Sequence, residues 1–162
     1  MPSFVPFPAL RFAPGTDLAA VIAPPYDVLS EADVDALAAR DAHNIVHLDV
    51  PRGERRYEAA RAGLDAWLAE GVLVRDDRDS FTIYRMFFTD AAGQQRAISG
   101  VLGGLAVVDA DADGVLPHER TTPKAVTDRL DLTRATAANL SPVWGLSLAS
   151  GLTEALAEPG EE

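Results

Sequence analysis

The residues best suited to chemistry lie in one stretch of the chain, from residue 116 to residue 130. The run from His118 to Thr121 comes directly before Thr122-Pro123, a pair typical of a helix start. Hydroxyl groups and a helix N-terminus donate hydrogen bonds to anions, and the nearby Lys124 adds positive charge, so this combination suits phosphate. Glu119 can hold Mg²⁺ or act as a general base. The candidate catalytic residues are Glu119 and His118, and the candidate phosphate or nucleotide ligands are Thr121, Lys124, Arg129 and Arg120.

The charge pattern supports this site but also allows a simpler interpretation. Lys124 is the only lysine, and residues 118–134 carry four basic side chains against three acidic ones in a chain of net charge −11. A local excess of positive charge favours an anionic ligand. Alternatively, Glu119 and Arg129 form a structural ion pair and Thr122 caps the helix. The sequence leaves both interpretations open.

A stiff loop is predicted at Pro24-Pro25-Tyr26-Asp27, because proline fixes its own φ angle and restricts the residue before it. Such a loop presents Tyr26 and Asp27 in a fixed direction. We assign both residues, together with Arg11, to the wall of the ligand pocket.

Two other motifs are rejected. The segment 109–114 begins like a calcium-binding EF-hand loop, but Arg120 stands where the bidentate glutamate must be, so we interpret the segment as a solvated acidic turn. The segment 53–60 is similar to the nucleotide-phosphate box of ParB-type partition proteins, but the acidic chain has no basic helix-turn-helix region. We interpret it as an arginine-rich helix start. No residue is assigned as a metal ligand.

Length and composition predict one globular domain. The 162 residues are 48% hydrophobic and include no cysteine, which excludes iron–sulfur clusters and cysteine nucleophiles. The net charge of −11 argues against nucleic acid as a partner, and no apolar run is long enough to span a membrane, so we expect a cytoplasmic protein. Residues 1–149 are predicted to form the domain, and residues 150–162 a disordered acidic tail.

Hydrophobic periodicity predicts an α+β fold with a mixed or antiparallel sheet, a central hairpin and about three helices packed on it. Ser30 and Asp33 have capping-box spacing, and Gly71 is placed to end a helix. Glycines inside a strand, at positions 100, 103 and 104, indicate a bulge or a close approach. The helices are predicted to begin at Ser30, Arg56 and Thr122, and the strands to cover 44–50, 80–89, 94–108 and 142–148. The prolines of 4–12 confine that segment to an edge strand or an extended arm.

Five segments in order resemble the N-terminal part of the DUF1015 family of bacterial and archaeal proteins. The resemblance covers nearly the whole chain to about Leu148, and the sequences APPYDVLS and HERT are highly specific together. Complete members are around twice as long or more, and their later half carries an Asp-Gly-His-His-Arg motif similar to that of ParB/sulfiredoxin-like small-molecule kinases. This chain lacks that motif. The five segments are Phe7–Arg11, Ala23–Ser30, Gly71–Leu73, Pro117–Thr121 and Asp128–Leu130.

The resemblance implies the N-terminal part of a nucleotide-binding protein whose complete form phosphorylates a small, serine-like metabolite, using ATP or ADP and Mg²⁺. Lys124 and Arg129 would neutralise phosphate charge, His118 and Thr121 would donate hydrogen bonds to it, and Glu119 would position Mg²⁺ or the acceptor hydroxyl. The chain by itself is expected to lack the activity. The alternative is a non-catalytic interaction module, in which the 118–121 segment is structural and the chain docks to a missing C-terminal half or to itself.

Overall fold

The computed structural model describes residues 2–109, 114–116 and 123–157. These residues form two compact units. The helical unit comprises the described residues of 10–75 and 118–144, and the strand unit those of 1–9, 76–117 and 145–162. The strands are β1 (Phe4–Val5), β2 (Leu10–Phe12), β3 (Leu73–Arg75), β4 (Thr82–Thr89), β5 (Gln95–Leu102) and β6 (Gly104–Leu105); the helices are α1 (Leu18–Val21), α2 (Glu31–Arg40), α3 (Val46–Asp49), α4 (Arg56–Ala69), α5 (Pro123–Thr136) and α6 (Leu152–Ala155).

The ends of the long helices follow the signals predicted from sequence. Ser30 and Asp33 form a reciprocal capping box at the start of α2, which satisfies two otherwise unpaired N–H groups. After α4, Gly71 has a φ of +75°, a left-handed conformation that glycine adopts without steric cost. The chain then enters β3, which pairs antiparallel with β2.

The core of the helical unit lies where α3 and α4 meet β3. Its buried side chains are Leu48, Leu64, Trp67 and Leu73. A second cluster, formed by Val34, Leu37 and Val46, joins α2 to α3. Both clusters include residues of α3, so this four-residue helix holds the longer elements together.

The strand unit is built on the hairpin of β4 and β5. These strands pair antiparallel over eight residues each, from Thr82 opposite Leu102 to Thr89 opposite Gln95. At the base of the hairpin, β1 pairs with β6, and Phe7 forms a bridge to Ser80. The predicted hairpin and its polar turn at 90–93 are therefore confirmed.

Close approach explains one of the strand glycines. A Cβ atom placed on Gly103 would lie 2.5 Å from the Phe4 ring, whereas one on Gly100 would meet nothing within 4 Å. The Phe4 ring is stacked on Phe81 with their centroids 5.4 Å apart. Gly103 therefore makes room for an aromatic ring.

The fold class is α+β with antiparallel strand pairs, as predicted. Three helices have ten or more residues, and the strands of the described chain form three separate two-stranded sheets. The assignment of 1–149 to one domain and 150–162 to a tail stays a prediction; α6 lies within the latter range. None of the helices in the described ranges is long and apolar enough to cross a membrane.

Two predicted strands are wrong. The segment 44–50 forms α3 instead, because Asn44 starts a helical turn: its side-chain oxygen accepts from the Val46 N–H, and its amide donates to the carbonyls of Ala20 and Ile22. The segment 142–148 is irregular, since its backbone has no strand partner in the described structure.

Candidate functional site

The predicted site residues fall on different parts of the helical unit. Lys124 and Arg129 lie on α5, Arg11 on β2, and Tyr26 and Asp27 on a single 3₁₀ turn, Tyr26–Val28. His118, Glu119, Arg120 and Thr121 lie outside the described residues, as does most of the acidic turn at 109–114.

Arg129 is bound on two sides by carboxylates. Its Nη1 donates to Asp49 Oδ1 at 2.9 Å, and its Nη2 donates to Asp128 Oδ2 at 2.7 Å. Its guanidinium carbon lies 4.1 Å from the centroid of the Tyr26 ring, a cation–π contact. Arg129 and Tyr26, both predicted to belong to the site, are therefore in direct contact.

Asp49 is the most buried carboxylate of this group, with its side chain 11% exposed. Besides the Arg129 bond, its Oδ1 accepts a hydrogen bond of 2.7 Å from the Ser141 hydroxyl. A buried carboxylate is stable only when its charge is paired and its oxygens are hydrogen-bonded. Asp49 thus connects α3, α5 and the segment after α5 through polar contacts.

A second set of contacts continues from Asp128 to the start of α4. The Tyr57 hydroxyl donates to Asp128 Oδ1 at 2.8 Å and accepts from Arg56 Nη2 at 2.8 Å. Arg56 Nη2 also lies 3.6 Å from Asp128 Oδ1. The contacts of Arg56, Tyr57, Asp128, Arg129, Asp49 and Ser141 thus form one continuous polar network, which we call the Arg129 network.

The protonation equilibria of this network follow from its geometry. Burial by itself would raise the pKa of Asp128, but hydrogen bonds from Arg129 and Tyr57 and the nearby positive charges outweigh it, so the pKa lies below its ordinary value. Burial and the neighbouring Asp128 raise the pKa of Tyr57. The network is therefore held with Asp128 ionised and Tyr57 neutral at neutral pH.

An open pocket of about 380 Å³ lies at one end of the network. It is lined by side chains from the start of α4 and the middle of α5, namely Arg56, Tyr57, Thr127, Asp128 and Asp131. Lys124 precedes Asp128 by about one helical turn on α5. A smaller cavity of about 100 Å³ lies elsewhere, beside Val34, Val46 and His47.

The sequence interpretation and the structure overlap only in part. Arg129 and Tyr26 meet, and Lys124 lies on the helix that lines the pocket. Asp27 and Arg11 occupy exposed positions, and their assignment to the pocket wall stays a prediction. The ion pairs of Arg129 that the structure describes are with Asp49 and Asp128. The residues that sequence reasoning missed are Arg56, Tyr57, Asp49 and Ser141.

One missed signal was present in the sequence. Arg56 belongs to the arginine-rich segment 53–60, which had been set aside as an ordinary helix start. Asp49 gave no such signal, because its burial depends on α3 being a helix. Among the described residues, no group of three or more acidic or histidine side chains is arranged to hold a metal ion.

Comparison with protein-family models agrees with the resemblance to DUF1015 that the sequence motifs indicate. The family model described as "Protein of unknown function (DUF1015)" matches residues 4–161, which is nearly the entire chain. The chain belongs to the DUF1015 family. A search of curated proteins and a search of solved structures gave no match.

The structure brings together residues from two of the five segments that resemble DUF1015. The 23–30 segment contributes Tyr26 and the 128–130 segment contributes Arg129, and these two side chains are in cation–π contact. Two of the segments by which the chain resembles DUF1015 are therefore neighbours in space.

Proposed function

We propose that this chain is the nucleotide- or phosphate-binding part of a DUF1015 protein, with the ligand in the pocket between α4 and α5. The pocket itself is the observation that carries the proposal. Its volume of about 380 Å³ lies within the range of roughly 300–1,000 Å³ typical of small-molecule sites. Its lining combines a guanidinium, two hydroxyls and two carboxylates, which are groups that orient a polar ligand.

The start of α4 supports an anionic ligand. Arg56 is the first residue of this fourteen-residue helix, and the residue before it, Arg55, does not cap the helix with its side chain. The first N–H groups of a helix carry partial positive charge and bind phosphate well. Lys124, one turn before Asp128, is the second cation that we assign to the phosphate.

We assign Arg129 a positioning role instead of direct phosphate binding. Both of its terminal nitrogens donate to carboxylates, and the guanidinium packs on Tyr26. Its positive charge is already paired with two carboxylates, which weakens its attraction for a phosphate. Its contacts fix Asp128, a residue of the pocket lining, relative to α3 and the Tyr26 turn.

Mg²⁺ fits this pocket only together with a phosphate ligand. Asp128 already accepts hydrogen bonds on both oxygens, whereas Asp131 supplies a carboxylate that is 42% exposed. Mg²⁺ commonly binds one or two carboxylates, retains several waters and completes its shell with substrate phosphates. Asp131 would hold the ion there, and the bound ion would neutralise phosphate charge.

In complete family members, we propose phosphoryl transfer to a small, serine-like metabolite. The acceptor oxygen would form a bond to the terminal phosphorus of ATP or ADP as the bond to the bridging oxygen breaks, and the acceptor proton would pass to a base. Glu119 is the proposed base, and His118, Arg120 and Thr121 are proposed phosphate-binding residues, all four by sequence position alone. This chain by itself is proposed to bind without catalysing the transfer.

Thermal unfolding with Mg²⁺ and ATP, ADP or CTP tests the binding site. A ligand present at about 100 times its dissociation constant adds roughly 2.7 kcal/mol of stability. We expect a higher melting temperature for the wild-type chain and no ligand-induced shift for Lys124→Ala or Arg56→Ala. Arg40→Ala is the matched control, because it removes one positive charge from an exposed position that does not line the pocket, and it should keep the shift.

The absence of a shift with every nucleotide, or equal shifts in all four proteins, would contradict the proposal. A longer DUF1015 protein tested in parallel adds a second comparison. A shift in the longer protein alone would assign the nucleotide to the part that this chain lacks.

The second candidate function is a non-catalytic interaction module, and the closed Arg129 network favours it. A cluster in which Arg129, Asp49 and Ser141 satisfy one another can be purely structural. In that case, Lys124→Ala and Arg40→Ala would have the same small effects on every ligand measurement.

A further inference from the structure

The cation in the pocket between α4 and α5 is already paired with a carboxylate of the same pocket. Among the described residues of the lining, Arg56 is the one cation, and Asp128 and Asp131 are the carboxylates. Arg56 Nη2 lies 3.6 Å from Asp128 Oδ1, which is within the distance of an ion pair. With one guanidinium against two carboxylates, the described lining has a net charge of −1.

The Tyr57 hydroxyl holds this pair together. It accepts a hydrogen bond from Arg56 Nη2 at 2.8 Å and donates one to Asp128 Oδ1 at 2.8 Å, so it joins the same two atoms that form the ion pair. The guanidinium carbon of Arg56 also lies 4.5 Å from the centroid of the Tyr57 ring. These contacts fix the Arg56 guanidinium against Tyr57 and Asp128.

Asp128 is held beside Arg56 from its other side as well. Its Oδ2 accepts a hydrogen bond of 2.7 Å from Arg129, which does not line the pocket and is itself bound to Asp49. The carboxylate therefore stays next to Arg56. Asp131, the other carboxylate of the lining, has its described ion pair with an arginine of its own helix.

An anionic ligand must compete with Asp128 for Arg56. The side chains of Arg56 and Asp128 are 43% and 34% exposed, so water weakens the pair and a ligand is able to displace it. The Asp128 carboxylate also repels an anion that approaches Arg56, because like charges at short range disfavour each other. Asp128 therefore lowers the affinity of the pocket for anions without closing it.

We propose that Asp128 is an internal competitor, which occupies Arg56 and thereby weakens the binding of free phosphate-like anions in this pocket. The inference rests on the proposed function, since it concerns the regulation of the same site. It has a consequence that a merely structural role of Asp128 does not have. Removing the carboxylate strengthens anion binding, although the same change destabilises the fold.

Isothermal titration calorimetry with inorganic pyrophosphate tests this, with EDTA to remove divalent cations and about 0.15 M salt to screen distant charges. We expect Asp128→Asn to bind pyrophosphate at least about fivefold more tightly than the wild-type chain does. Asp65→Asn is the matched control and should leave the affinity unchanged. It removes the same charge from an exposed arginine pair of α4 that does not line the pocket.

Two further variants separate the contact with Arg56 from the summed charge of the pocket. Asp131→Asn removes the same charge from the lining and should give a smaller gain than Asp128→Asn. The double variant Arg56→Ala with Asp128→Asn should show no gain, because Arg56 is the group that Asp128 releases. An equal gain in Asp131→Asn overturns the proposal, and so does a gain kept by the double variant, which would assign the anion to the released Arg129.

Far-UV circular dichroism verifies that each variant is folded. If Asp128→Asn does not fold, carbon NMR of the wild-type chain replaces it: the Asp128 carboxyl resonance must move as pyrophosphate is added, and that of Asp65 must not. An Asp128 resonance that stays in place overturns the proposal. If nucleotides stabilise the wild-type chain but Asp128→Asn gains no affinity, this inference alone fails. If no nucleotide does so and neither protein binds pyrophosphate, the proposed function fails with it.

Discussion

Arg129 connects three parts of the helical unit with one side chain. It binds Asp49 of α3 and its own neighbour Asp128, and it packs on Tyr26 of the 3₁₀ turn. Its side chain is 21% exposed, so water screens these contacts less than it screens a surface pair. The network therefore contributes to folding whether or not a ligand binds nearby.

Replacing Arg129 with alanine should destabilise the chain strongly. The change leaves Asp49 buried with Ser141 as its described partner, and breaking such a partly buried pair costs about 3 kcal/mol. Arg134→Ala, at a 70% exposed position, should cost less than about 0.5 kcal/mol. Urea denaturation measures both. Equal stabilities of the two variants would contradict a structural role for Arg129.

The ionisation of Asp128 should make the free energy of unfolding depend on pH in the acidic range. Its folded-state pKa is lowered below the unfolded value, so the ionised form stabilises the fold above about pH 4, and this contribution is lost as pH falls through the folded pKa. Asp128→Asn should lower the free energy of unfolding at neutral pH and have much less effect in acid. Asp131→Asn is the control from the same helix, and a parallel response of the two variants would refute the prediction.

At the residue scale, the sequence predicted which side chains lie together better than it predicted their chemical roles. Tyr26 and Arg129 were both assigned to one site, and they do meet. Asp49 could not be found, because it belongs to the segment 44–50 that was predicted to be a strand, whereas in α3 it is buried. When a carboxylate is buried only through tertiary packing, the local pattern of apolar residues does not reveal its burial.

Elements were predictable where local signals agree with the fold. The capping box specifies the start of α2, and polar turn residues between apolar runs specify the β4–β5 hairpin. The segment 44–50 was misassigned because its apolar residues alternate, while Asn44 anchors the backbone to α1 through carbonyls that lie more than twenty residues earlier. A tertiary contact overrode the local pattern there.

Substituting Gly103 tests the packing at the base of the hairpin. A methyl group there would overlap the Phe4 ring, so Gly103→Ala should displace this ring from Phe81. Losing the ring pair costs about 0.5–1.5 kcal/mol. Gly100→Ala is the matched control, because its Cβ would meet nothing within 4 Å. Nuclear Overhauser contacts between the two rings should vanish in Gly103→Ala and persist in Gly100→Ala.

The buried apolar side chains of the described residues are distributed unevenly between the two units. Nearly all buried apolar side chains of the described chain belong to the helical unit, including Leu48, Leu64 and Trp67. Local stability follows the density of buried apolar contacts. The strand unit is therefore the less stable of the two in a monomer.

Hydrogen exchange should reveal this difference directly. Amides of α4 should exchange only through extensive unfolding, whereas those of β4 and β5 should exchange faster in dilute protein. If amides of the hairpin and of α4 are equally protected from exchange in dilute protein, the prediction that the strand unit is the less stable one is contradicted.

The helical unit is made of two separate stretches of the chain, and this affects how the protein folds while it is being synthesised. The helical unit is interrupted between residues 75 and 118, so the whole strand hairpin is synthesised before α5, which contacts α4 through Tyr57 and Arg61. At roughly 5–20 residues per second, α4 waits about 3–13 s for the end of α5 to be made. A nascent chain therefore exposes the uncovered side of α4 for seconds, and during that time a ribosome-associated chaperone has access to this helix.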